Sequence, residues 1–296
     1  SGYVGSKLCQ RLLDDGWTVD VLIRYAGRQL PTSLANRLTP HVYDGSTESV
    51  LAAISKSKPD VVFHLASLFI AEHRSEQVTD LIKSNVLYGT QLVEACVRMG
   101  IKYFINTGTS WQHYRKDAYD PVCLYAATKQ AFEDILDFYT DAFALRAITL
   151  KLFDTYGPGD DRPKLINLLL KTAFTDEALG ISPGDQFLDL VHIDDVAAAV
   201  VSCAQQLVKG VNYGAHERFA VKTGTLVSVK ELVSIIEGIR GRPLNVTFGK
   251  RPYREREVMA PWAGDRTVPG WSASIDLQTG LSMILRPIKD SEQLSH

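Results

Sequence analysis

The chain has 296 residues, 45% of them hydrophobic, enough for one sizeable α/β domain with a smaller one appended rather than two independent large domains. Its 32 Lys and Arg nearly balance its 34 Asp and Glu, so no overall field draws it to nucleic acid or to an anionic membrane surface. No apolar run approaches the ~18 residues that span a bilayer, and Cys9, Cys96, Cys123 and Cys203 are scattered without CxxC or metal spacing, so no metal and no disulfide is expected and the thiols suit a cytoplasmic enzyme.

The opening SGYVGSKLCQRLLDDGW reads as a tight glycine turn followed by an amphipathic helix, with Leu8, Leu12 and Leu13 on one side and an end near Gly16. A strand, VDVLIR, ends at Arg24, and a third strand closes at Asp44 and Gly45. Then come the apolar run DVVFHLA, a helix through VLYGTQLVEACVRMG, a strand YFINT and a helix from Tyr125 onward. This alternation implies an α/β fold built on a doubly wound parallel (Rossmann) sheet. A glycine turn of this kind follows a buried central strand, and none precedes Ser1, so the sequence is expected to begin inside a longer polypeptide. After LKLFDTYGPGDD the pattern loosens, and Pro/Gly-rich stretches at 156–163 and 241–264 bracket a last helix, VSVKELVSIIEGIRG. Residues 1–157 are therefore read as the dinucleotide-binding domain and 158–296 as mainly a smaller α/β substrate domain, with elements near 189–210 returning to the first.

Gly2 and Gly5, with Tyr3 and Val4 between them, would let a pyrophosphate approach the backbone at a helix N-terminus, where unpaired N–H groups and the dipole favour anions. Arg24 ends the second strand where an Asp would bind a free ribose 2′-hydroxyl, and a guanidinium suits a 2′-phosphate; NADP(H) is favoured, with NAD the alternative. Asp44 could accept from the adenine amine, or could simply form a turn with Gly45. Tyr125 and Lys129 in LYAATKQAFEDIL share a helix face. Tyr3 and Lys7 have the same spacing but sit in the glycine loop; what separates the pairs is that a strand carries Thr109 and Ser110 at its carboxyl end, where doubly wound sheets bind ligands. Lowering a phenol from ~10 to about 7 needs roughly 4 kcal/mol, and an ammonium ~4 Å away supplies about that at an effective dielectric of ~20. Lys129 is thus expected to hold the pKa of Tyr125 down and make it the proton-transfer group. His64 reads as a strand-end residue of the cofactor wall, and His192, Asp194 and Asp195 as helix caps.

Together GYVG, VVFHLAS, SNVLYGT, YAATK, LKLFDTYGPGD, VHIDDVA and the late GW make the chain resemble the extended short-chain dehydrogenase/reductase family, the NAD-dependent epimerase/dehydratase group, across nearly its whole length. The resemblance implies catalysis by Thr109, Tyr125 and Lys129, a cofactor lined by Leu65 and Ala66, an active-site helix supported by Asn85, and a substrate diphosphate gripped by Arg254. It also implies a nucleoside-diphosphate sugar substrate and a homodimer packed through the Asn85 and Tyr125 helices. Ser110 and Trp111 stand where the family's 4,6-dehydratases place an Asp and a Glu, which argues against dehydration. Leu188 and Asp154 replace the usual Arg and Asn around the substrate, so Asp154 must be paired if a diphosphate lies beside it. The GTS triplet and the short segment to YAATKQ look most like the CDP-paratose and CDP-abequose synthase group of sugar-nucleotide 4-ketoreductases. The expected reaction is NADPH-dependent reduction of a C4 ketone; the alternatives are an epimerase, with His113, Tyr114 or Cys123 as an extra acid or base, and a non-catalytic dinucleotide-sensing module.

Overall fold

The glycine turn and the apolar periodicities become strands and helices in the order read above. A computed structural model describes residues 2–24, 32–115, 117–211, 213–264 and 266–293. Helix α1 (Tyr3–Asp14) starts directly after Gly2, so Gly5 lies inside its first turn rather than in a loop before it. Its end is set by Gly16, whose φ of +84° only glycine adopts freely. β1 (Asp20–Arg24), the short α2 (Thr32–Ala35), β2 (Thr39–Tyr43) and α3 (Thr47–Ser57) follow, then β3 (Val61–His64). α4 (Val78–Ile82) passes through a π turn, Lys83–Leu87, into α5 (Tyr88–Arg98), so the expected single helix has an extra-wide turn at Asn85, a distortion common at functional sites.

β4 (Tyr103–Thr109) runs two residues past the expected YFINT and delivers Thr109 to its carboxyl end. α6 (Leu124–Ala142), β5 (Arg146–Leu152), β6 (Asp154–Tyr156), α7 (Leu165–Thr175), β7 (Leu179–Gly180), β8 (Phe187–His192) and α8 (Ile193–Val208) come next. The described chain closes with β9 (His216–Val221), β10 (Leu226–Ser228), α9 (Val229–Arg240), β11 (Val246–Thr247) and α10 (Leu277–Gln293). Ser228 and Glu231 form the capping box that starts α9, and Gly241 at φ +82° ends it.

β3, β4, β5 and β9 form an all-parallel sheet in the order β3-β4-β5-β9, and β1 pairs in parallel with β2. One face of this layer is covered by α1 and α8 through Leu8, Leu12, Val196 and Val200, the other by α3, α5 and α6 through Ile54, Leu92, Phe132 and Leu136. That is the doubly wound arrangement. β1 and β3 do not pair with each other among the described residues, and Val21, Leu22, Val61 and Val62 line one cavity between them. A third core joins α7, α9, α10, Tyr156, Leu190 and Val227, while α8 packs on α1.

α5 and α6 approach closely at Gly89, where a Cβ would sit 2.6 Å from the Phe132 ring, itself fully buried. This contact sets the spacing between the helix bearing Asn85 and the one bearing Tyr125. Phe132→Ala should therefore lower stability by ~3–5 kcal/mol, read by urea unfolding; a loss below about 1 kcal/mol would show that the two helices hold their spacing without it.

Candidate active site

Thr109 leaves β4 with its side chain accepting the Trp111 N–H at 3.3 Å, and its own N–H donates to Gln112 Oε1 at 3.0 Å. The Ser110–Gln112 turn so formed aims the strand end at α6, whose second residue is Tyr125. The hydroxyls of Ser67 and Thr109 are hydrogen-bonding neighbours of the Tyr125 phenol, and the Phe69 ring meets it edge-on at 5.0 Å. Burial pushes the Tyr125 pKa up to about 12; Ser67, Thr109 and Arg162 pull the other way without overcoming it. The expectation that Lys129 holds this phenol near neutrality is thus corrected. Desolvation costs the anion more than the surrounding donors return, and Lys129 is itself brought down to about 8 by burial, against which Glu133 acts.

Lys129 is 1% exposed, and its Nζ has no hydrogen-bond partner among the described residues, nor does the buried Nε2 of neighbouring His64. His64 is neutral, held low by burial and by Lys129, and donates from Nδ1 to Asn106 Oδ1 at 3.0 Å, which leaves Nε2 as an acceptor. Gly2 has an ordinary φ of −87°, and a Cβ at Gly2 or Gly5 would meet nothing within 4 Å, so the chain's own packing does not require either glycine. An orphaned buried amine that shares one cavity with a glycine-bordered helix N-terminus is what a dinucleotide's ribose and pyrophosphate would satisfy.

A single cavity of about 2060 Å³ is lined by Gly2, Tyr3, Val4, Gly5, Arg24, Asp44, Gly45, Leu65, Ala66, Thr109, Ser110, Tyr125, Lys129, Asp154 and Arg254. Arg24 donates to Ser84 Oγ at 3.1 Å. The Asp44 carboxylate accepts from the Ser46 N–H at 2.9 Å and the Ser46 hydroxyl at 2.6 Å, so it builds the turn before α3, with Gly45 at φ +103°. Like the acid/base candidates Tyr114 and Cys123, Asn85 lies outside this lining. Its Nδ2 donates to Leu68 O and Thr128 Oγ1 at 3.0 and 2.9 Å, and its Oδ1 accepts from Leu68 N and Ser67 Oγ at 2.7 and 3.2 Å. It therefore fastens the 65–68 loop to α6 rather than presenting a free group.

Arg254, also in the lining, forms a two-pronged pair with Glu257, at 3.0 and 2.8 Å, and lies 5.0 Å over the Trp111 ring. Burial raises the Asp154 pKa, with Lys164, Arg254 and Arg162 acting as its counter-charges. Lys164, Arg162, Ser67 and Phe69 line the cavity without having been nominated from sequence. Ser67 closes the VVFHLAS match and could have been found there; the two cations sit in an aperiodic turn that gives no signal. His113 has both ring nitrogens committed, Nδ1 donating to Ala118 O at 3.3 Å and Nε2 accepting from Lys151 Nζ at 2.8 Å, and it stacks on Trp262, so it offers no free acid or base. Burial pushes the Cys123 thiol up. His192 does cap α8, accepting the Asp194 N–H at 3.3 Å, but Asp195 instead binds the backbone N–H groups of Ser274 and Ile275.

Because the folded pKa of Lys129, about 8, lies below its ordinary 10.5, the unfolded chain holds the extra proton between those values. Stability contributed by this group is therefore lowest below pH 8 and recovers as pH rises through that window. Lys129→Met should stabilise the chain at pH 7 by roughly 3 kcal/mol, with the gain fading by about pH 10.5. Urea unfolding at the two pH values checks this, and a pH-independent difference would contradict it.

The profile of the NAD dependent epimerase/dehydratase family matches residues 1–216. CDP-abequose synthase of Yersinia pseudotuberculosis is 27% identical over 264 residues, covering 88% of this chain and 89% of its own length. UDP-glucose 4-epimerase of Mycolicibacterium smegmatis is 26% identical over 315 residues, covering 99% and 97%. Among solved structures, MoeE5 in complex with UDP-glucose and NAD aligns with a TM-score of 0.84 at 26% identity, over 98% of this chain and 97% of the other. With that profile covering most of the chain, from α1 through α8 and including the Tyr125–Lys129 helix, the chain belongs to the NAD dependent epimerase/dehydratase family.

Proposed function

We propose that the chain reduces the C4 ketone of a nucleotide-linked deoxyhexose, most fittingly a CDP-sugar, at the expense of NADPH. The observation that carries this reading is the convergence of Tyr125, Ser67 and Thr109 in front of the buried Lys129, with Ser110 and Trp111 where a dehydratase would need two carboxyls. Likeness to CDP-abequose synthase supports the carrier and the reaction type. Bound, the cofactor supplies the hydride.

Tyr125, with its pKa near 12, is fully protonated at neutral pH, as a donor to an incipient alkoxide must be. Thr109 already accepts from the Trp111 N–H, so its own hydroxyl proton is available to polarise the ketone. Lys129, charged below about pH 8, orients the nicotinamide ribose. Arg24, steadied by Ser84, offers a guanidinium to a 2′-phosphate, which favours NADP(H) over NAD. Arg254 grips the substrate diphosphate, and Lys164 with the arginines offsets the charge of Asp154 beside it. In this reading the region 158–296 mainly builds the substrate side. The enzyme acts in the cytoplasm as a homodimer through the α4–α5 and α6 surfaces, where Ile82, Leu87 and Phe138 are exposed. A second reading, a C4 epimerase with retained NAD, is supported by the near-equal likeness to UDP-glucose 4-epimerase and would use the same three residues.

With a CDP-4-keto-6-deoxyhexose, Tyr125→Phe should slow NADPH oxidation by ~10²–10⁴-fold while NADPH binding, followed by fluorescence, is retained. No NADPH consumption by the unaltered chain across several such substrates would defeat the reductase reading, and stoichiometric NAD surviving gel filtration would favour the epimerase. Arg24→Ala should lower the preference for NADPH over NADH in kcat/KM by ~10–100-fold; an unchanged ratio would remove Arg24 from cofactor selection.

A further inference from the structure

Behind the site lies a buried polar network that the proposed chemistry leaves unused. Glu133 is one helical turn beyond Lys129 on α6 and is 1% exposed. Its Oε1 accepts from Arg218 Nε at 2.5 Å and lies 3.7 Å from Lys151 Nζ, while its Oε2 accepts from Gln112 Nε2 at 2.9 Å. These donors from β9, β5 and the turn after β4 keep the carboxylate ionised in spite of its burial. An ionised carboxylate only accepts hydrogen bonds. The Gln112 amide must therefore turn its nitrogen to Glu133 and its oxygen to the other side, where it takes the Thr109 N–H. A Cβ at Gly108 would sit 2.7 Å from that same oxygen, so the strand is shaped to receive it.

The same carboxylate is the charge that opposes the desolvation of Lys129. The titratable groups facing Lys129 are Glu133 from its own helix, His64 from β3 and Tyr125 one turn back. Those facing Glu133 are Lys151 and Arg218, with His113 behind Lys151 and Asp137 behind Arg218. Glu133 thus binds the Gln112 turn directly and stands one helical turn from Lys129, buried and outside the lining of the cavity.

We propose that Glu133 is a positioning residue that keeps Lys129 charged and, through Gln112, fixes the turn carrying Thr109. This deepens the reading of Thr109, Tyr125 and Lys129 as the reacting set and rests on it. The test is an NMR titration of the Lys129 side-chain ε-carbon in the full chain, assigned by the loss of its signal in Lys129→Met. The unaltered chain should titrate near 8. Glu133→Gln should lower that midpoint by about one pH unit, because it removes the charge that opposes the desolvation of Lys129. Because Glu133→Gln alone leaves Lys151 and Arg218 without their acceptor, the pair Glu133→Gln/Lys151→Met removes one charge of each sign and should fold with a smaller downward shift, the loss of the Lys151 charge offsetting part of the loss of Glu133. Glu133→Asp should restore the midpoint most of the way. A midpoint that stays put in either folded variant overturns the proposal, since a merely structural carboxylate would lower the unfolding midpoint and leave the titration of Lys129 where it was. The titration needs no substrate, so an inactive parent chain would count against the reductase reading without bearing on this one.

Discussion

A single buried amine organises this molecule. Lys129 is almost wholly out of water, no described residue hydrogen-bonds its Nζ, and burial draws its pKa down to about 8. Isolated buried charge is among the costliest features a fold can carry. The surroundings show how it is tolerated: a neutral His64 with its acceptor nitrogen nearby, a carboxylate one turn along, and an open cavity on the remaining side. A free-standing domain selected for stability alone would have placed a Leu or Met there.

The tension continues through the neighbouring groups. Burial moves the Tyr125 phenol away from ionisation, and Ser67 and Thr109 only moderate that. A phenol held protonated suits donation rather than abstraction, which is why the pKa that contradicts the simple tyrosine–lysine expectation is compatible with the proposed reduction. The arrangement depends on rigid support: the π turn places Asn85 so that its four hydrogen bonds join the 65–68 loop to α6, and Phe132 against Gly89 sets how close those helices lie.

Much of this was legible beforehand because the signals are local. The glycine turn, the alternation of apolar runs with amphipathic helices, the capping box at Ser228 and the four-residue spacing of Tyr125 and Lys129 all rest on neighbours within a few positions. Boundaries were less readable: α1 begins at Tyr3, inside the supposed loop, because Gly2 adopts an extended conformation that caps a helix, and β4 continues through Gly108 and Thr109 because β5 pairs with it along its whole length. The π turn had no sequence cue, since it arises from fitting Asn85 between two segments.

What the residues by themselves determined is the list of reactive groups and the order of elements, since periodicity and short-range spacing are properties of the chain alone. The tertiary structure decided the charge state of those groups and which of them act at a distance. Desolvation and charge–charge terms depend on what is packed alongside, and the partners of Lys129, Glu133 and Asp154 come from His64, Lys151, Arg218, Lys164 and Arg254, scattered over almost two hundred positions and brought together only by the parallel crossovers of the sheet.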